Sequence, residues 1–180
     1  MNPIFYVLIA LAVVLLIGYI SVSNKLNRAR VKIEEAGADI DVSLTKRYDV
    51  LTKMVDVVKG YAKYEKETIF ETVHLRKNMT MQEKNEANRL MGESFERIHA
   101  LAENYPALRA SETYNTLQKA VADVEEHLQA SRRLYNANVS RYNQMIATFP
   151  TSLVAGLRGL GKEEFFSAED HKRQDVKMDL

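Results

Sequence analysis

An apolar run over residues 4–22 constrains the fold of this chain more than any other feature of its sequence. At ~1.5 Å per helical residue, the run is long enough to cross a hydrocarbon core of about 30 Å with little tilt. Lys25, Arg28, Arg30 and Lys32 follow it at once and form a cationic stop on one side. The pattern indicates a membrane anchor at residues 1–24 that contacts lipid. The side chains expected to do so are Ile4, Phe5, Leu8, Leu11, Val14, Leu15, Ile17 and Ile20.

A cleaved signal peptide is the alternative interpretation of the same run, because residues 21–23 form a small-x-small pattern. Residues 1–3 carry no Lys or Arg, and the run is longer than a usual signal core, so we expect the anchor to be retained. The four cations after the run then place the N-terminus outside and the helical domain in the cytoplasm, in a single-pass arrangement.

Charge and cysteine content exclude several classes of function. The chain has 25 basic and 24 acidic residues and a net charge of +1, which gives no electrostatic footprint for nucleic acid. It has no cysteine, which excludes disulfides, thiolate metal sites, a lipid-modified cysteine and a cysteine nucleophile. The rest of the chain is enough for one domain, which we place at residues 25–166, followed by a charged tail at 167–180 that we expect to be disordered.

Apolar residues recur every seven positions after the anchor, as they do in long packed helices. One heptad position holds Leu26, Ile33, Ile40, Met54 and Tyr61, and the second core position holds Gly37, Leu44, Leu51 and Val58. The two positions together form the first packing seam. We expect one helix that continues the anchor to about residue 60, unless Ser23 and Asn24 form a joint. A stripe at Ile69 and Val73 predicts that the helix resumes and runs to about residue 77.

Two further helices are predicted downstream. Thr80 and Glu83 match a capping box, which places a helix at about residues 81–104, with Pro106 at its end. Ser111 can cap a third long helix that runs to about residue 148. The predicted fold class is therefore all-α, with an N-terminal transmembrane helix running into an antiparallel bundle of three to four long helices with coiled-coil-like seams.

Tyrosines dominate the seam of the third helix. Its first heptad position holds Tyr114, Val121, Leu128, Tyr135, Tyr142 and Phe149, and its companion holds Leu117, Val124, Ser131, Asn138 and Met145. Buried rings with hydrogen-bonded hydroxyls are the favoured interpretation, and a ligand site lined by the tyrosines and Asn138 is the alternative. Arg47 interrupts the first seam and predicts either a structural ion pair, which we favour, or an anion site.

Two Glu-x-x-His pairs come closest to a metal site. Glu71 with His74 and Glu96 with His99 have the spacing found in di-iron carboxylate bundles. Such a site also needs an inward glutamate from each of two other helices, and the candidates at 34–35 and 125–126 lie in clusters typical of a solvent-facing surface. We therefore predict no metal, no cofactor and no catalytic residue.

The C-terminal segment is more apolar than the end of a soluble domain needs to be. It contains Leu153, Val154, Leu157, Leu160, Phe165 and Phe166. After residues 149–150 the pattern predicts a short amphipathic helix. That helix either folds back onto the bundle, which we favour, or contacts a second copy or the lipid surface.

Seven short motifs point together to one family. They are ADIDV at 38–42, LTKRYDVL at 44–51, VVKGYA at 57–62, LAENYPAL at 101–108, RRLYN at 132–136, YN at 142–143 and FP at 149–150. On these motifs the chain resembles the LemA family of bacterial membrane proteins over nearly its whole length. The resemblance implies a single anchor, a bundle of long helices and no established enzymatic activity. Gly37, Ala38 and His99 depart from the family pattern, which is bulkier at the first two positions and apolar at the third.

The leading hypothesis is a non-enzymatic, single-pass protein of a bacterial plasma or inner membrane whose cytoplasmic bundle self-associates or scaffolds other proteins. A homo-oligomer is expected under this hypothesis. The resemblance includes a relative that takes part in magnetosome membrane formation, which makes membrane organisation a reasonable analogy. The alternative is a sensory or regulatory module that binds a small ligand or a protein partner within the bundle, at Arg47 and the tyrosines.

Overall fold

The computed structural model of the chain describes residues 3–61, 75–76 and 78–166. Within these residues the chain forms helices and no strand, which confirms the all-α prediction. The helices are α1 at Pro3–Tyr61, α2 at Met81–Glu103, α3 at Pro106–Arg109, α4 at Glu112–Ala147 and α5 at Thr151–Leu157. The helix expected at Ile69 and Val73, the Glu71–His74 pair and the tail at 167–180 lie outside the described residues.

α1 is one continuous helix that joins the apolar run to the first seam. It passes through Ser23 and Asn24 without a break, so no joint forms there. Pro3 lies in the first turn, where its missing N–H has no helical partner to lose. The seam is at most 6% exposed at Leu26, Ile33, Ile40, Leu44, Leu51, Met54 and Val58. Heptad periodicity therefore identified the buried face of this helix except at Tyr61, its last residue, which is 43% exposed.

α2 begins at the predicted capping box. The Glu83 N–H donates to Thr80 Oγ1 at 3.2 Å, and the Thr80 N–H donates to Glu83 Oε2 at 2.8 Å. In the turn before it, Asn78 has a positive φ of 62°, a conformation that asparagine tolerates. α2 ends at Glu103, and Pro106 opens the single-turn α3 just beyond it. Both ends of the second predicted helix are confirmed.

α4 begins where Ser111 Oγ accepts a hydrogen bond from the Tyr114 N–H at 3.4 Å. Its heptad seam is buried at Tyr114, Val124, Leu128, Tyr135 and Tyr142. The heptad series also predicts a buried Phe149, which is wrong, because α4 ends at Ala147 and Phe149 is 79% exposed. A seven-residue repeat carries no information about where the helix beneath it stops.

Packing divides the chain into two units, and the first consists of Met1–Gly37 with Leu134–Glu164. In this unit α1 and α4 run antiparallel, since the Asn138 side chain donates to Lys32 O at 3.0 Å while Gly37 lies beside the Tyr135 ring. A Cβ at position 37 would meet Tyr135 Cε2 at 3.7 Å. The tyrosine ring thus occupies the space that a bulky residue at position 37 would need.

The second unit consists of the described residues within Ala38–Arg133 and Phe165–Leu180. Its α1 and α4 segments are antiparallel, because Ser43 and Ser131 join through their hydroxyls at 3.2 Å while Arg47 reaches Glu125. α2 runs in the same direction as α1, since Lys84 pairs with Asp41 and Asn88 accepts from Arg47. The expected division into an anchor at 1–24 and a bundle at 25–166 stays a prediction.

Candidate functional site

The apolar run forms the exposed first part of α1. Among the described residues, α1 is the one helix long and apolar enough to cross a membrane, and its most apolar stretch is not buried. The eight side chains predicted to contact lipid are between 49% and 66% exposed. Apolar side chains left this open to solvent are unfavourable in water and favourable in hydrocarbon. The run can therefore span a membrane.

A basic groove lies on the first unit directly after the apolar run. It is a cavity of about 450 Å³ between α1 and α4. Its lining residues, all within the described part of the chain, are Ser21, Asn24, Lys25, Arg28, Ala29, Lys32, Asn138, Arg141 and Met145. Four of these nine carry a positive charge and none is acidic. Three of the four predicted orientation charges thus line one cavity, and Arg141 of α4 adds a further cation.

Arg158 attaches the end of α5 to the start of the polar part of α1. Its Nη1 donates to Ser23 Oγ at 2.9 Å and to Ser23 O at 3.3 Å, and its Nη2 donates to Asn27 Oδ1 at 2.9 Å. Leu153 and Leu157, one helical turn apart on α5, are 62% and 80% exposed. The fold therefore places a short helix with two exposed leucines beside the residues at which the apolar run ends.

Two side chains of α4 hold the segment that follows α5. Asn143 Nδ2 donates to Glu163 O at 2.9 Å, and the Glu163 N–H donates to Asn143 Oδ1 at 2.9 Å. The Tyr135 hydroxyl donates to Glu164 O at 3.0 Å. Arg30 of α1 adds an ion pair with Glu163 at 3.8 Å. Residues 163–164 are thereby fixed against both long helices of the first unit.

Burial raises the pKa of two of the seam tyrosines, Tyr135 and Tyr142. Burial first, and then Glu163 and Glu164, raise the pKa of Tyr135 to about 12. Burial also raises the pKa of Tyr142. Tyr114 accepts a hydrogen bond from Gln118 Nε2 at 2.6 Å. The hydroxyls of Tyr114 and Tyr135 are thus engaged within the chain, and a ligand site among the tyrosines and Asn138 stays a prediction.

Arg47 lies in the core of the second unit and is 2% exposed. Its Nη2 is 2.5 Å from Glu125 Oε1, and its Nη1 donates to Asn88 O at 2.9 Å and to the Asn88 side-chain oxygen. The guanidinium carbon lies 5.5 Å from the centre of the Phe95 ring, within the range of a cation–π contact. The structural ion pair that the sequence favours therefore has a named partner, Glu125.

Comparison with known proteins identifies the family. A model of the LemA family matches residues 36–180. The chain belongs to the LemA family. The LemA family resemblance drawn from the sequence motifs is confirmed.

Individual relatives match at 28–29% identity. Protein LemA of Metamycoplasma hominis is 28% identical over 88% of this chain and 74% of its own length. Magnetosome protein MamQ of Magnetospirillum gryphiswaldense is 28% identical over 42% of this chain and 28% of its own length. Magnetosome protein MamQ 2 of Paramagnetospirillum magneticum is 29% identical over the same shares, 42% and 28%. The chain thus covers well under two thirds of either magnetosome protein.

The predicted C-terminal contact segment of this LemA protein divides into buried and exposed members. Val154 and Phe166 are buried, and Leu160 is half-buried. Leu153, Leu157 and Phe165 are 62%, 80% and 48% exposed. The segment is therefore available for an external contact on only part of its surface.

The described part of the LemA chain brings together no group of three His, Cys, Asp or Glu side chains that could hold a metal ion. Glu125, one of the glutamates considered for a di-iron site, pairs with Arg47 instead. The Glu71–His74 half of that site lies outside the described residues.

Sequence reasoning missed the residues that organise the first unit, namely Arg141, Asn143 and Arg158. Arg158 is the one cation of the apolar stretch at 149–161, and that isolation is a signal that could have been used. Arg141 had no such signal, because polar residues flanking a seam are common on any exposed helix face. Asn143 belongs to the YN motif at 142–143, but that motif does not indicate which groups the amide binds.

Proposed function

We propose that this LemA protein is a non-enzymatic scaffold of a bacterial membrane, in which α1 crosses the plasma or inner membrane once and the helical domain self-associates at the cytoplasmic face. The exposed apolar run of α1 supports the crossing. Lys25, Arg28, Arg30 and Lys32 directly after that run favour a cytoplasmic domain.

The observation that carries this proposal is the attachment of α5 to the base of the apolar run. Arg158 binds Ser23 and Asn27, so α5 lies at the depth at which α1 would leave the hydrocarbon. Leu153 and Leu157 are exposed there. Apolar side chains at that depth gain free energy by entering the headgroup–acyl boundary. The domain would then touch the membrane at two places, α1 and α5, and keep one orientation to it.

A fixed orientation favours lateral assembly. Anchoring confines copies to a surface, which raises their effective concentration and makes weak contacts between domains productive. Beyond the apolar run, Val31, Val42 and Leu134 remain about half exposed, at 49%, 56% and 52%. These side chains are candidate contacts between copies. The match to proteins named as magnetosome proteins adds support for a role tied to a membrane compartment.

The placement of α5 can be tested with a single fluorescent reporter, because the chain has no tryptophan. Leu157→Trp in full-length protein, reconstituted into vesicles, should give blue-shifted emission that lipids brominated near the headgroup quench. Leu134→Trp, at a position that is 52% exposed on α4, is the matched control and should be quenched far less. Equal quenching of the two reporters would refute contact between α5 and the membrane.

Self-association is tested by the mass of the full-length protein in detergent, measured by light scattering with electron microscopy of the same peak. A discrete oligomer is expected, and the triple variant Val31→Ser, Val42→Ser, Leu134→Ser should lower its mass. A monomer at every concentration would rule out self-association. That result would favour the alternative, a module that binds a ligand or a protein partner within the bundle.

A further inference from the structure

We propose that the basic groove of the first unit binds the headgroup phosphate of an anionic phospholipid from the adjacent leaflet. The groove is the cavity of about 450 Å³ lined by Lys25, Arg28, Lys32 and Arg141 together with Ser21, Asn24 and Asn138. This inference rests on the proposed function in one respect, namely that α1 crosses the membrane.

The charges of the groove lack a counter-charge from the described chain. Lys25, Arg28, Lys32 and Arg141 form no ion pair with a described residue, whereas Arg30, in the same stretch of α1, pairs with Glu163 at 3.8 Å. Four like charges around one cavity repel each other, and a bound anion relieves that repulsion. A phosphate group accepts hydrogen bonds from both lysine and arginine. The chemistry of the lining therefore favours a phosphate.

The groove begins at the depth of a headgroup and extends beyond it. Its lining begins at Ser21, in the last turn of the apolar run, and extends to Lys32, about 17 Å further at ~1.5 Å per residue. Headgroups occupy the layer just outside the hydrocarbon core. The side chains of Ile17 and Ile20 are exposed on the same helix just before the groove, where acyl chains would pack. A lipid can thus place its phosphate and its chains on surfaces of matching polarity.

Arg141 separates this proposal from the general preference for cations beside a membrane span. Lys25, Arg28 and Lys32 flank the span in sequence, so orientation alone accounts for them. Arg141 belongs to α4, more than a hundred residues later in the chain, and still lines the same cavity. Orientation of the span gives no reason for a cation there. A bound anion does.

The test is native mass spectrometry of the full-length protein in detergent, with phosphatidylglycerol and phosphatidylcholine added in equal amounts. Wild-type protein should retain phosphatidylglycerol in preference to phosphatidylcholine. Arg141→Gln should weaken phosphatidylglycerol binding about fivefold, the effect expected for one cation near an anionic lipid. Arg133→Gln is the matched control, because Arg133 is also an exposed arginine of α4 and does not line the groove.

A second pair of variants makes the same comparison on α1. Lys25→Gln with Lys32→Gln should weaken binding of phosphatidylglycerol further, to about one twenty-fifth of the wild-type affinity. Lys46→Gln with Lys53→Gln removes two exposed lysines of the same helix outside the groove and should leave that affinity unchanged. Far-UV circular dichroism of each variant checks that it is folded.

Three results would overturn the proposal. The first is equal retention of the two lipids by wild-type protein, which needs no variant and so does not depend on variant folding. The second is equal loss of affinity in Arg141→Gln and Arg133→Gln. The third is displacement of phosphatidylglycerol by inorganic phosphate alone, which would assign the groove to a free anion. None of these changes the quenching of Leu157→Trp or the mass of the oligomer, so failure here is distinct from failure of the proposed function.

Discussion

The ion pair between the buried Arg47 and the half-buried Glu125 offers the sharpest test of how the second unit is held together. Glu125→Gln keeps the shape of the side chain and removes its charge. Arg47 is 2% exposed, and its guanidinium would then lose the negative charge that Glu125 places 2.5 Å from its Nη2. The expected result is a loss of unfolding free energy, because buried charges depend on their partners for stabilisation.

The size of that loss follows from the geometry. Removing a partner from a fully buried pair costs about 3–5 kcal/mol. A hydrogen bond to a charged group contributes about 1.5–3 kcal/mol. The Glu125 side chain is 33% exposed, so water screens the pair and moves the estimate toward the lower range. Asn88 and Phe95 also keep their contacts with the guanidinium. We expect Glu125→Gln to cost about 2 kcal/mol.

The measurement is urea unfolding of full-length protein in detergent, followed by far-UV circular dichroism. Glu126→Gln, at the exposed neighbouring residue, is the matched control and should change stability by less than about 0.5 kcal/mol. In a double-mutant cycle with Arg47→Met, the double variant should lose about 1–2 kcal/mol less unfolding free energy than the sum of the two single losses. If Glu125→Gln and Glu126→Gln were equally stable, or the cycle additive, the ion pair would not be the interaction that stabilises this core.

Three further predictions concern other contacts. Gly37→Ala should raise the melting temperature, because alanine favours the helix by up to about 1 kcal/mol over glycine and its Cβ meets Tyr135 at an ordinary 3.7 Å. A lower melting temperature would contradict this. Thr80→Ala should cost about 1 kcal/mol through loss of the capping box with Glu83, and thermal melts that match wild type would exclude it. Tyr135→Phe should cost about 1 kcal/mol through its lost bond to Glu164. Because the folded pKa of Tyr135 is about 12 against about 10 when unfolded, its stabilisation is complete below pH ~10 and is lost as pH rises toward 12. Tyr135→Phe should therefore flatten the fall in stability over that interval, and an unchanged slope would argue against this assignment.

The helices were predictable because the signals that define them are local. The Thr80–Glu83 capping box is complete within four residues, and heptad repeats report the buried face of a helix at every turn. The same repeats placed Phe149 in the core because they carry no signal for the end of α4. Seam periodicity identifies which residues face a neighbouring helix. It does not identify the residue at which the helix ends.

The candidate site was predictable only in part, because it depends on contacts between distant segments. Lys25, Arg28 and Lys32 follow the span directly and could be assigned from sequence. Arg141 joins them through the antiparallel register of α1 and α4, which the sequence alone does not specify. The same holds for Glu125, which lies in a sequence cluster typical of solvent-facing acids and is the partner of Arg47 in the structure. The alignment of α4 against α1 thus decides which of the charged residues of α4 take part in a site.

The hydrogen bonds around α5 indicate that the protein itself sets the position of this helix. A seven-residue helix such as Thr151–Leu157 is far too short to be stable alone in water. Its C-terminal end is held by Arg158 to Ser23 and Asn27, and the next segment is held by Asn143 and Tyr135. Together with the buried side chains of Val154 and Ala155, these hydrogen bonds hold the segment against the first unit. The exposed faces of Leu153 and Leu157 are therefore presented in a fixed direction beside the end of the apolar run. Exposure of these leucines to water raises the free energy of the free protein, and contact with a membrane would remove that exposure.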